Sequence, residues 1–263
     1  MTRPHEPAGH ARGGGTAYRE EVDGRGLRWD ELRHFLHAAL VRKVPRDNRD
    51  TPRVLRRRRL VCALTLVVGA VILGIGLNVP PGEPLFLLLT GLLALVWAAG
   101  AALAGRMHLG RAWTRDGRLA RPLVQSLALG LLAVGIFCAG AVLVAQVPML
   151  RDPVDAVLDH ARYASLPVIV LITLVNGLAE ELFFRGALYA AVTRRPVLVT
   201  TVLYALVTAA SGNLMLVFAA VVLGVLVGAQ RRVTGGVLGP MVTHVTWSLS
   251  MLLLLPPLLT AVG

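Results

Sequence analysis

Acidic residues and arginine occur inside the long apolar runs of this chain in one place, the stretch Asn176-Gly-Leu-Ala-Glu-Glu-Leu-Phe-Phe-Arg-Gly186. An ionised group in hydrocarbon costs several kcal/mol, so such residues face a bundle interior or a wet cavity and mark function. Glu181 and Arg185 stand four apart, the spacing of an ion pair on one helix face. At 100° per residue Thr173, Asn176, Glu180 and Ala187 share another face, while Glu181 turns toward Arg185. The two carboxylates therefore have different expected tasks. Glu181 is paired with a structural partner, and Glu180, without one, is the candidate general base.

Two further runs carry polar side chains. Thr201, Tyr204, Thr208 and Ser211 recur at spacings of three, four and three, a polar stripe on an otherwise apolar helix, and His244 and Ser248 lie four apart. Two readings of the hydroxyls compete: Thr208 and Ser248 bond back to carbonyls of their own helices, or they face a shared site. His244 is either a packing residue or a reactive one. Depth favours a shared site. At 1.5 Å per residue Glu180 lies ~21 Å from Arg194, Thr208 ~20 Å from Arg195 and His244 ~18 Å from Arg232.

The elements that must position these groups follow from composition. Hydrophobic residues make up 55% of the 263 and charged residues 16%, a balance that fits lipid and not water as the solvent. Seven apolar runs have about the length that crosses a bilayer: 60–79, 85–104, 123–147, 166–190, 196–210, 214–229 and 237–259. The expected fold class is all-α, a polytopic bundle of about seven spans.

A net charge of +12 raises nucleic acid as a partner, yet the basic residues fall before and between the spans instead of forming one basic domain. No nucleic acid is expected. Residues 1–59 hold 15 of the 27 basic residues and end in Arg56, Arg57, Arg58 and Arg59 against the first run, which predicts a cytoplasmic N-terminus. The other loops alternate as that requires. Arg106, Arg111, Arg115, Arg118 and Arg121 mark one inner loop, Arg194, Arg195, Arg231 and Arg232 two more, and the segment with Asp152, Asp155 and Asp159 has no basic excess. Seven spans put the C-terminus outside, in the cell membrane.

Residues 1–28 read as a disordered tail, and Trp29, Leu32, Leu36, Ala39 and Leu40 recur at helical spacing. That helix either lies on the inner membrane surface or packs on the domain. Asp152–Ala164 predicts a short outer helix. The first three spans are scaffold without charge, and no internal repeat relates the two halves, which counts against an inverted-repeat transporter. Cys62 and Cys138, nearer opposite faces, are not expected to pair, and Gly224 and Gly228 form a small-residue pair that packs helices within the chain.

Over about residues 165–256 the sequence resembles the CPBP intramembrane proteases, which include the CAAX prenyl endopeptidases and bacterial abortive-infection and bacteriocin-processing proteins. Glu180-Glu181-Leu-Phe-Phe-Arg185 matches the family's E-E-x-x-x-R. Tyr204-Ala-Leu-Val-Thr208 aligns with F-x-x-x-H, and His244-Val-Thr-Trp-Ser248 matches H-x-x-x-N in part, with Thr208 in place of His and Ser248 in place of Asn. The resemblance implies that Glu180 activates water and that His244 is the remaining electrophilic partner, with Glu181, Thr208 and Ser248 completing the catalytic set. Thr208 can donate a hydrogen bond, but neither it nor Ser248 relays a proton as imidazole does.

No cofactor is assigned. A divalent ion such as Zn²⁺ normally takes three protein ligands, here Glu180, Glu181 and His244, and would require Glu181 to release Arg185. The expected domains are a basic tail with its juxtamembrane helix (1–59), a three-span scaffold (60–150) and a protease-like domain (151–263). The expected activity is hydrolysis of a peptide bond within the bilayer, on a membrane protein or peptide, prenylated or not, with membrane lipid as the other partner. The rivals are a pseudoprotease that binds without cutting and a small transporter.

Overall fold

The computed structural model describes residues 24–46, 50–163 and 165–262. Residues 1–23 of the expected tail lie outside the described residues. The polypeptide forms helices α1 (Gly24–Leu40), α2 (Pro52–Gly76), α3 (Pro84–Ala104), α4 (Leu123–Val144), α5 (Pro148–Arg162), α6 (Leu166–Glu181), α7 (Tyr189–Ala191), α8 (Pro196–Ala209), α9 (Leu214–Thr234) and α10 (Leu238–Val262). Leu182–Leu188 continue α6 into α7 as a π-helical turn, and Ala112–Trp113 pairs antiparallel with Leu119–Ala120 in a small hairpin. The chain divides after His34 into two units. In the first, an exposed pair joins Arg33 and Asp30 at 3.6 Å.

Helix starts follow local rules. Proline stands in the first turn of α2, α3, α5, α6 and α8, where its missing N–H would have no intrahelical partner anyway. Asn213 caps α9 by accepting from the Leu216 N–H at 3.0 Å, and Gly235, at φ 71°, ends that helix in the left-handed conformation glycine adopts without a Cβ clash.

Six segments among the described residues are long and apolar enough to cross a bilayer: α2, α3, α4, the continuous Leu166–Ala191, α9 and α10. The run 196–210, expected as a span, forms helix α8 nearly as bounded but is shorter than the six. α8 has 14 residues, about 21 Å of helix against a hydrocarbon core of about 30 Å. A left-handed Arg195 and Pro196 delay its start, and a turn through Gly212, at φ 71°, ends it.

Side-chain hydrogen bonds close both ends of the bundle. At one end Arg59 Nε donates to the Ala191 carbonyl (3.1 Å), Arg58 Nε pairs with Asp50 (2.8 Å) and Arg58 Nη2 donates to the Arg106 carbonyl (3.1 Å). At the other, Asn213 Nδ2 donates to the Pro153 carbonyl (2.6 Å), His160 lies between the carbonyls of Ala156 (3.0 Å) and Val79 (2.9 Å), and Gln146 Nε2 donates to the Val262 carbonyl (2.8 Å). The Arg-rich loop and the C-terminus thus sit at opposite ends. Arg58, though one of the four arginines before the first span, is buried.

Packing distances are set by small residues. A Cβ on Gly69 would stand 2.1 Å from the Trp97 ring and one on Gly100 2.4 Å from Thr65, so α2 and α3 approach closely. Gly224 and Gly228 face Thr201 and Val197 in the same way and seat α8 on α9, the intrachain role expected of them. Cys62 and Cys138 are free. The loop 105–122 is laced to the α9–α10 junction: Val237 N–H donates to the His108 carbonyl (2.9 Å), Leu238 N–H to Leu109 (3.1 Å) and Arg111 N–H to Thr234 (3.0 Å). That lacing fixes where α10 begins, and with it the depth of His244 in its second turn.

The arrangement predicts that reporter tags placed at Arg115 and after the C-terminus report opposite sides of the membrane. Both tags on one side would refute the alternation of ends.

Candidate active site

The site begins where the helix changes pitch. A π-helical turn inserts an extra residue into the i→i−4 ladder and so disturbs the backbone bonding of that turn, a device common at functional sites. Here it spans Leu182–Leu188, directly after Glu181. Buried Arg231 on α9 donates from Nε to the Arg185 carbonyl inside this turn at 2.6 Å, and its guanidinium lies 5.0 Å over the Tyr189 ring. Phe183 and Phe184 are fully buried against Trp97 of α3, with ring centroids 4.8 and 5.1 Å away. A Cβ on Gly186 would meet the Met107 sulfur at 2.9 Å, so this glycine lets the turn approach the loop 105–122. The uncharged scaffold spans thus hold the turn that carries the charged groups.

Glu181 is fully buried, and its Oε1 accepts from Arg185 Nη1 at 2.9 Å, as its spacing predicts. The same oxygen accepts from His244 Nδ1 at 2.7 Å, which ties α10 to α6. Donation from Nδ1 leaves Nε2 as the nitrogen of His244 without a protein partner among the described residues. The carboxylate thereby sets the ring's orientation, as acids do for catalytic imidazoles elsewhere.

Glu180 differs from expectation in one respect. Tyr204 donates its hydroxyl to Glu180 Oε2 at 2.7 Å, so the carboxylate has a partner, from α8. Glu180 is partly exposed where Glu181 is not, and its Oε1 has no protein partner among the described residues. The Tyr204 ring lies 4.6 Å from that of Phe184, and the Arg185 guanidinium lies 4.8 Å over it. Tyr204 therefore touches both glutamate systems. Its signal in the sequence was a hydroxyl at the aromatic position of the second motif.

The three helices expected to share a depth do meet, but through a different residue of α8. Thr208 donates to the Tyr204 carbonyl at 2.9 Å and Ser248 to the Val245 carbonyl at 3.4 Å, each within its own helix. Ser211 does the same to Thr208 at 2.6 Å, and Asn176 Nδ2 donates to Ile172 at 3.0 Å. Ser248 still borders α6, since a Cβ on Gly177 would lie 3.7 Å from its Oγ. Thr201 Oγ1, Asn176 Oδ1 and Glu181 Oε2 are buried with no protein partner among the described residues.

A metal ion needs donors that converge on one point. Among the described residues no three His, Cys, Asp or Glu side chains do so, and the Glu181 oxygen that would be required already accepts from Arg185 and His244. This donor set does not fit a resident ion.

Removing one partner of a buried pair strands the other and typically costs about 3 to 5 kcal/mol. Arg185→Leu should accordingly lower the yield of folded protein and its unfolding temperature more than the combination of Glu181→Gln with Arg185→Leu. Equal losses from the single and the double variant would count against the pair.

Residues 162–250 match the family model described as type II CAAX prenyl endopeptidase Rce1-like. No curated protein and no solved structure matches the chain. The matched segment contains Glu180, Glu181, Arg185, Tyr204, Thr208, His244 and Ser248, the polar groups of the site. Over this segment, about a third of the chain, the protein is similar to the type II CAAX prenyl endopeptidases.

Proposed function

We propose that this protein is an intramembrane endopeptidase of the CAAX-processing type, acting in the cell membrane with its N-terminus in the cytoplasm. The observation that carries the reading is the unequal treatment of two adjacent carboxylates: Glu181 is buried between Arg185 and His244, whereas Glu180 is partly exposed with one oxygen held by Tyr204 and the other free. One is fixed as a structural acid. Its neighbour is left to react.

Glu180 Oε1 takes a proton from water, and the water oxygen bonds to the scissile carbonyl carbon as the C=O π pair moves onto its oxygen. His244 presents Nε2 to that oxygen and, carrying a proton there, donates to it. The tetrahedral species collapses, the C–N bond breaks, and the leaving amine receives the proton that Glu180 took. The substrate is a membrane protein or membrane-anchored peptide, prenylated or not, reached from the bilayer.

The second reading, a pseudoprotease that binds such a segment without cutting it, draws on Thr208 and Ser248, whose hydroxyls are turned to their own helix carbonyls. Cleavage separates the two. Purified protein in lipid should cut members of a membrane-peptide library, Glu180→Gln should abolish cutting at an unchanged unfolding temperature, because Gln keeps the shape but accepts no proton, and His244→Ala should be nearly as severe. A Glu180→Gln variant that cleaves as well as the parent refutes the assignment of the base. A parent that binds library peptides and cleaves none favours the pseudoprotease.

A further inference from the structure

Position 208 has a hydroxyl where a proton-carrying ring is absent, and that hydroxyl is committed to the Tyr204 carbonyl at 2.9 Å. One turn earlier on the same face of α8, the phenol of Tyr204 reaches the reactive carboxylate directly, at 2.7 Å from Glu180 Oε2. We propose that Tyr204 is the positioning residue of this site, its hydroxyl holding Glu180 in the orientation that leaves Oε1 free for water. The inference rests on the peptidase reading for its catalytic consequence, but the hydrogen bond it invokes is independent of that reading.

Three contacts make Tyr204 suited to the task. Its ring is wedged between Phe184 at 4.6 Å and the Arg185 guanidinium at 4.8 Å, both on the π-helical turn. Arg185 is itself held by Glu181. The phenol is thus fixed by the same charged pair that orients His244, so one rigid assembly sets the base and the imidazole together. A short side chain on α8 could not do this. Threonine at 208 finds its nearest acceptor on its own backbone, whereas the length of a tyrosine carries its hydroxyl across to α6.

The hydroxyl bonds the base itself, so on this proposal its loss acts on the chemical step and not on ground-state binding. Tyr204→Phe is a clean test, because phenylalanine keeps the ring beneath Arg185 and against Phe184 and removes one donor. A hydrogen bond to a charged group corresponds to about a 10- to 100-fold effect on rate.

The experiment pairs kinetics on a library peptide that the parent cuts with infrared spectra of the full-length protein in lipid. Tyr204→Phe should lower kcat about 10- to 100-fold at an unchanged KM, the size expected for such a bond. Adding Thr208→His, which places an imidazole one turn along the same face, should restore part of the loss. In the infrared, Tyr204→Phe should shift one glutamate carboxylate stretch, and the shift should vanish when both proteins compared carry Glu180→Gln. An unchanged kcat, or a loss confined to KM, overturns the proposal, and so does a carboxylate band that does not move. If the parent cuts nothing, the peptidase reading falls, and the infrared comparison alone decides whether Tyr204 holds Glu180.

Discussion

One carboxylate oxygen, Glu181 Oε1, accepts from Arg185 within its own segment and from His244 on another helix. In a medium of low dielectric neither an isolated glutamate nor an isolated arginine is tolerable, and each persists because the other is there. The shared oxygen then does more than neutralise charge. It fixes the distance between α6 and α10 at the level of the site and settles which nitrogen of His244 faces outward. The polar geometry around Glu180 follows from that contact, since Arg185, once held, forms the shelf on which the Tyr204 ring rests.

The π-helical turn is the backbone counterpart of this arrangement. It places Arg185 in reach of Glu181 while Phe183, Phe184 and Arg185 are all buried, and it is itself supported by Arg231 bonding to the Arg185 carbonyl. A second buried arginine is a costly support unless its donors are used, and here Arg231 serves the backbone while stacking on Tyr189. Adjacent residues on a helix point about 100° apart, so two consecutive glutamates meet different neighbours by geometry alone. The fold exploits that difference, sending one into the protein and leaving the other partly exposed.

The apolar spans contribute precision where they contribute no chemistry. Trp97 can stack on Phe183 because Gly69 leaves room for its ring between α2 and α3. The lacing of 108–111 to 234–238 sets the start of α10, and the close contacts at Gly224 and Gly228 seat α8 against α9. Each device fixes a helix in rotation or depth by less than a side-chain length, which is the tolerance a hydrogen-bonded site requires.

The sequence by itself determined the solvent, the helical class and the residues of interest, because long uncharged runs have one stable environment and because Glu180, Glu181 and Arg185 stand out against them. The Glu181–Arg185 pair was legible from its spacing, since both partners lie on one helix and need no tertiary information. Tertiary structure decided the partners that cross between helices. That His244 bonds Glu181 and not Glu180, and that Tyr204 and not Thr208 reaches the reactive carboxylate, depend on helix rotation and on the π-helical turn. A 3.6-residue periodicity cannot reveal these, because it fixes the face of each helix but not which face of a neighbour it meets.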